Sequence, residues 1–164
     1  MGESALLEIL LAERAIQQRV LDYAHGIDRL DFERVRACFH PDATILYGGL
    51  ADGTRDEALS WLEEALPRLA GSSHFFGAPR IELDLEAGEA RAETYSLNTT
   101  RLPPDAEGKV YATHTSARYL DRFERRDGVW RIAHRELVRD WTQRVLEVPD
   151  PGLPTVGSGP GRPG

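Results

Sequence analysis

Cysteine occurs once, at Cys38, lysine once, at Lys109, and methionine once, at the first position. A single cysteine excludes an internal disulfide and any Cys₂His₂ or CxxC metal or redox site. Schiff-base or lysine-base chemistry would rest on Lys109 alone, and that residue follows the loop-like Pro103-Pro104-Asp105-Ala106-Glu107-Gly108. Long apolar runs are also missing. Ala5-Leu6-Leu7 and Ile9-Leu10-Leu11-Ala12 are interrupted by Glu8 and Glu13, too short and too charged for a membrane span or the apolar part of a signal peptide. The default expectation is a cytoplasmic protein with no membrane partner. Basic residues are outnumbered, 20 Lys+Arg against 27 Asp+Glu for a formal charge of −7, so the footprint of a nucleic-acid binder is absent. No GxSxG elbow, Walker A pattern or HExxH pair occurs.

What remains is 164 residues, 41% hydrophobic and 29% charged, the composition of a folded domain. Residues from about 5 to 24 read as a helix, because Ile9, Ala12, Ile16, Val20, Tyr23 and Ile27 recur at spacings of three and four. Ser4 is the expected N-cap and Gly26 the expected end. A shorter helix is expected over 31–39, capped by Asp31 and stopped by His40-Pro41-Asp42, and a short strand over 43–47. Thr54 with Glu57 forms a capping box for a third helix, whose expected buried stripe is Ala58, Trp61, Leu62, Ala65 and Leu69.

From Ser72 onward four extended stretches are expected: 73–86, 89–102, 109–125 and 128–145. Asp127-Gly128 marks a tight hairpin, and a bulge is expected near Gly77-Ala78-Pro79. The final 16 residues, 149–164, hold five prolines and five glycines and read as a flexible extension or an arm on a neighbour. The expected organisation is one domain over 1–148 and a tail over 149–164. Helices followed by a meander of long strands give an α+β fold, with the helices on one face of a curved antiparallel sheet and a pocket between them.

Of the five histidines, His25, His40, His74, His114 and His134, none forms a ligand-spaced pair, so no metal is expected. Tyr23 lies on the apolar stripe of the first helix. Asp28 follows five residues later, about 140° away around an unbroken helix, so both face one cavity only if the helix ends or tightens near Gly26. From spacing alone Asp28 reads first as a cap or surface carboxylate, and His74, among Ser73, Phe75 and Phe76, as a core histidine or a base. Paired, the two would make a general base with a fixed tautomer. On the last strand Ala133, Arg135, Leu137 and Trp141 share one parity and Ile132, His134 and Val138 the other. Both sets are mixed, so parity leaves open whether Arg135 or His134 points inward.

The segments Ala15-Ile16-Gln17, Tyr23 to Asp28, Cys38-Phe39-His40-Pro41-Asp42-Ala43, Ser73-His74-Phe75 and Glu124 to Ile132 carry a resemblance. Across about residues 8–142 the chain resembles SnoaL-like members of the nuclear-transport-factor-2-like (cone-shaped α+β barrel) superfamily. Within it the chain is most similar to the branch of scytalone dehydratase, hexachlorocyclohexane dehydrochlorinase and bile-acid 7α-dehydratase. The resemblance implies a cone-shaped sheet covered by three N-terminal helices, and a cofactor-independent lyase for a small hydrophobic or polycyclic substrate. It implies His74 and Asp28 as a catalytic pair, with Tyr23 and Arg135 hydrogen-bonding the carbonyl or leaving group. Asn98, or alternatively His114, falls at a polar substrate-binding position; Phe76 and Trp61 are further candidates for the pocket wall. It also implies assembly as a homodimer or homotrimer. An isomerase or cyclase would use the same residues, and a binding module would hold a ligand without turning it over. The small subunit of a ring-hydroxylating dioxygenase would leave the pair idle.

Overall fold

The first helix, α1, spans Glu3–Arg29 in the computed structural model, which describes residues 2–148. The Pro/Gly-rich 149–164 segment lies outside the described residues. α1 is longer at both ends than its periodicity suggests: Gly2 is the N-cap, and the helix continues through Gly26 to a left-handed Leu30. The buried stripe explains the extension, since Ala12, Ile16, Val20, Tyr23, Ala24, Gly26 and Ile27 all face the sheet or the next helix. Gly26 is therefore no terminator. A Cβ there would lie 2.7 Å from Val35 Cγ2 and 3.1 Å from the Asp31 carbonyl oxygen, so the missing side chain lets α2 approach. Gly26→Ala is expected to destabilise the fold by about 1–3 kcal/mol through overpacking, even though alanine is the better helix former. Urea unfolding checks this, and a variant as stable as the parent would show that α2 is free to shift.

Helix α2 (Phe32–Ala37) is capped by Asp31, whose carboxylate accepts the Arg34 backbone N–H at 3.1 Å. It stops before Phe39, which instead opens strand β1 (Phe39–Leu46). His40-Pro41-Asp42 thus belongs to a strand, at the place where its register against the last strand slips. Proline donates no ladder hydrogen bond and is accommodated at such an irregularity. A two-residue strand, β2 (Gly53–Thr54), precedes α3 (Arg55–Ala65), where the expected capping box between Thr54 and Glu57 is complete. The buried residues of α3 are Ala58, Leu59 and Leu62; Trp61 is 38% exposed, outside that set.

The meander follows as β3 (Gly71–Phe76), β4 (Arg80–Asp84), β5 (Glu89–Arg101), β6 (Tyr111–Arg126) and β7 (Val129–Leu146). Gly77-Ala78-Pro79 breaks the first long stretch into β3 and β4, which pair with successive parts of β5. The sheet order is β2-β1-β7-β6-β5-β3, antiparallel except where β1 returns parallel to β7. Asp127 and Gly128, with φ of 51° and 76°, make the tight turn between β6 and β7.

Two irregularities in β7 decide which residues face the helices. The ladder runs regularly from Arg126↔Val129 to Phe123↔Ile132, then resumes at Arg122↔His134, leaving Ala133 as an extra residue. A second slip lies between Ala117↔Arg139 and Ser116↔Trp141. Each extra residue inverts the alternation. Ile132 and Arg135 consequently both point inward, and Trp141 turns out to solvent, contrary to the parity of an unbroken strand. The result is a curved, unclosed sheet whose concave face packs on α1, with α2 and α3 against β1. Ile16, Val20, Ile27, Phe39, Ile45, Phe123 and Ile132 fill the space between, each at most 2% exposed. Burying one such side chain contributes about 1.5–3 kcal/mol.

Candidate active site

Ser72, His74 and Phe76 alternate onto the concave side of β3, while Ser73 and Phe75 face out. Asp28, in the last turn of α1, meets this strand. His74 Nδ1 lies 2.7 Å from Asp28 Oδ1, the His74 backbone N–H donates to Asp28 Oδ2 at 2.8 Å, and the Ser72 hydroxyl donates to Oδ1 at 3.2 Å. Asp28 reaches this position from an unbroken helix, because β3 packs against α1 with His74 at the last turn and Phe76 against Tyr23.

Burial pushes the Asp28 carboxyl up, but the hydrogen bonds from His74 and Ser72 outweigh it and hold the group below its ordinary value. An ionised carboxylate only accepts, so Nδ1 must be the donor. A neutral imidazole has one N–H, and Nε2 is left with its lone pair. No hydrogen bond engages Nε2 among the described residues. The His74 and Asp28 side chains are 12% and 22% exposed.

Phe76 connects this pair to a buried aromatic group. Its ring lies 6.0 Å from His74, 6.4 Å from Tyr23 and 4.9 Å from Tyr119. The Tyr23 hydroxyl is 2.6 Å from that of Tyr47. Only one of the two donates in that contact, so one phenolic proton remains for another acceptor. Burial raises the pKa of Tyr23, Tyr47 and Tyr119, so all three remain neutral donors.

Arg135 is fully buried, with its guanidinium 4.0 Å from the Tyr23 ring centre and 4.7 Å from that of Tyr119. The anion it needs is Asp121, bound at 2.7 Å through both Nε and Nη2. An inward arginine needs an anion beside it, and here a carboxylate of the chain itself supplies one. Burial alone would push the guanidinium down, but Asp121 more than offsets it and keeps Arg135 charged. Among the described residues three buried polar atoms on this side have no hydrogen-bond partner: Arg135 Nη1, Asn98 Oδ1 and Thr94 Oγ1. Asn98 pairs across the sheet with His74, and its amide acts on the Tyr119 hydroxyl.

His114 and Trp61 do not join this group. His114 pairs across the sheet with Thr99 on the outer face, its Nδ1 3.1 Å from Thr99 Oγ1, because its parity on β6 opposes that of Thr115 and Tyr119. Trp61 makes no ring contact with Phe76, whose ring neighbours are Tyr23, His74 and Tyr119. Among the other histidines, His25 is exposed, His40 Nε2 contacts the Glu124 carbonyl oxygen, and His134 contacts Thr44. Cys38 is buried, which pushes its thiol up to about 12 and makes it a poor nucleophile. Sequence reasoning missed Ser72, Tyr47, Tyr119 and Asp121. Ser72 was within reach, two residues before His74 on a strand, whereas Asp121 becomes the partner of Arg135 only through the slip at Ala133.

The profile described as a SnoaL-like domain matches residues 8–136, which run from within α1 to just past the inward Arg135. The chain belongs to the SnoaL-like domain family. This SnoaL-like protein is 28% identical over 122 residues to an uncharacterized protein of Mycobacterium tuberculosis (strain ATCC 25618 / H37Rv), covering 73% of this chain and 80% of the relative. Its fold is shared with a type 2 hexachlorocyclohexane dehydrochlorinase, at a TM-score of 0.75 and 22% identity, covering 90% of this chain and 99% of that one. A putative scytalone dehydratase from Novosphingobium aromaticivorans superposes with a TM-score of 0.72 at 23% identity, covering 93% and 95%. Among the described residues no helix is long and apolar enough to cross a membrane.

Proposed function

We propose that this SnoaL-like protein is a cofactor-independent lyase that removes a carbon-bound proton from a small hydrophobic or polycyclic molecule and expels water or halide. The observation that carries the reading is the 2.7 Å contact between His74 Nδ1 and Asp28, which leaves Nε2 with a lone pair on the concave side of the sheet. His74 Nε2 takes the proton. Asp28 holds the tautomer and stabilises the imidazolium that forms. As the C–H bond breaks, negative charge builds on the substrate. The neutral phenols and the free Nη1 of Arg135 supply hydrogen bonds for it where water is scarce. The charge then leaves with the hydroxyl or halide, and the imidazolium proton returns to the leaving group or to solvent.

The partnerless Asn98 Oδ1 and Thr94 Oγ1 support a ligand with polar atoms of its own, since buried polar groups are ordinarily satisfied. The aromatic faces of Phe76, Tyr23 and Tyr119 suit a flat apolar body. The fold neighbours whose names specify a dehydrochlorinase and a putative dehydratase agree with elimination. Self-association of two or three copies belongs to the same reading, supported by Phe75, Tyr95, Leu97 and Trp141, all at least half exposed on the convex face.

The test is product mass after incubation with a panel of hydrophobic alcohols and chlorides that carry an acidified C–H. Elimination lowers the mass by about 18 or 36 units for water or HCl. Unchanged mass, with deuterium taken up from heavy water, would identify an isomerase or cyclase using the same base. Binding without either change would leave a binding module.

A further inference from the structure

Asp28 Oδ1 accepts two hydrogen bonds, from His74 Nδ1 at 2.7 Å and from the Ser72 hydroxyl at 3.2 Å, while Oδ2 accepts the His74 backbone N–H at 2.8 Å. All three donors come from one short stretch of β3, and Ser72 and His74 share the same face of it. The imidazole and the backbone N–H each bind one of the carboxylate oxygens. Ser72 adds its proton to the same oxygen that takes the imidazole proton. A carboxylate oxygen divided between two donors pulls less strongly on each.

We infer that Ser72 is a positioning residue, which fixes the Asp28 carboxylate and limits its pull on the Nδ1 proton of His74. This rests on the reading above, in which Asp28 and His74 act together. With the hydroxyl present, Asp28 orients the ring and steadies the imidazolium, yet leaves the ring free to give its proton up again after each turnover. Without it, Oδ1 loses one of its donors, and the hydrogen bond to Nδ1 strengthens. The hydroxyl also stabilises the charged carboxylate and so works in the same direction as the depression of the Asp28 carboxyl. The titratable group in contact with Asp28 is His74 on β3; His25 and Arg29 are its neighbours along α1, and Asp31, beyond the helix end, is engaged with Arg34.

The experiment needs no substrate. In full-length protein labelled with ¹³C and ¹⁵N, the Asp28 carboxyl carbon is titrated, and the Nδ1–H resonance of His74 is followed at neutral pH. In Ser72→Ala the carboxyl midpoint is expected to rise by roughly half a unit to one unit, from the loss of one hydrogen bond to a charged acceptor. The Nδ1–H resonance is expected to move downfield. Ser72→Thr, which keeps the hydroxyl, is expected to restore both. Should Ser72→Ala fail to fold, Ser72→Cys carries the same comparison, because a thiol of similar size is a much weaker donor. An Asp28 midpoint equal to the parent's in a folded variant overturns the inference. A moved midpoint in a protein that converts no member of the substrate panel would overturn the lyase reading and leave the role of Ser72 standing.

Discussion

His74→Ala is expected to lower turnover by about 10²–10⁴, the range supplied by a positioned general base. The magnitude follows from the proton path. With the imidazole gone, the carboxylates described on the concave side are engaged elsewhere: Asp28 with Ser72 and the His74 backbone, and Asp121 with Arg135, while the nearby tyrosines are neutral. Steady-state rates on whichever panel compound is converted check the prediction. A variant that keeps near-parental turnover would remove the pair from the mechanism.

The same contact has a consequence at low pH. Because the folded-state pKa of Asp28 is depressed, its pairing contributes stability that is fully present above the ordinary carboxylate value. That contribution is lost as pH falls through the lowered one.

Asp121→Ala is expected to cost about 3–5 kcal/mol of stability, because it leaves the Arg135 guanidinium buried without its counter-charge. Both side chains are entirely inaccessible, and Asp121 satisfies two of the guanidinium's nitrogens. Such a loss is a large share of the roughly 5–15 kcal/mol that holds a typical domain together. Replacing both partners, Asp121→Leu with Arg135→Met, is expected to recover most of that loss, since no ion then remains to be solvated. Denaturant midpoints for the single and double variants decide the matter. An Asp121→Ala protein as stable as the parent would mean that water or another group reaches Arg135.

The double variant also bears on chemistry. Arg135 lies against Tyr23 and Tyr119, so its removal is expected to weaken charge stabilisation even where the fold recovers.

Local order was legible in the residues themselves. The spacing of Ile16, Val20, Tyr23 and Ile27 gave α1 its buried face, Thr54 and Glu57 gave α3 its start, and Asp127-Gly128 gave the last hairpin its turn. Each of these depends on atoms a few residues apart, and short-range sterics and hydrogen bonding decide them. The juxtaposition of His74 with Asp28 was an expectation from family resemblance. Neither spacing nor composition carries it, because 46 residues separate the two.

Only the tertiary structure decided that α1 runs through Gly26, since the reason is the close approach of Val35 from another helix. Strand parity left the direction of Arg135 open and the resemblance put it inward; the tertiary structure alone decided that Asp121 meets it and that His114 faces away. One extra residue at Ala133 inverts the alternation of β7, and a slip of that kind is set by how long strands are paired and curved over a core. Period-two patterns state which residues travel together; which face they take depends on the whole ladder.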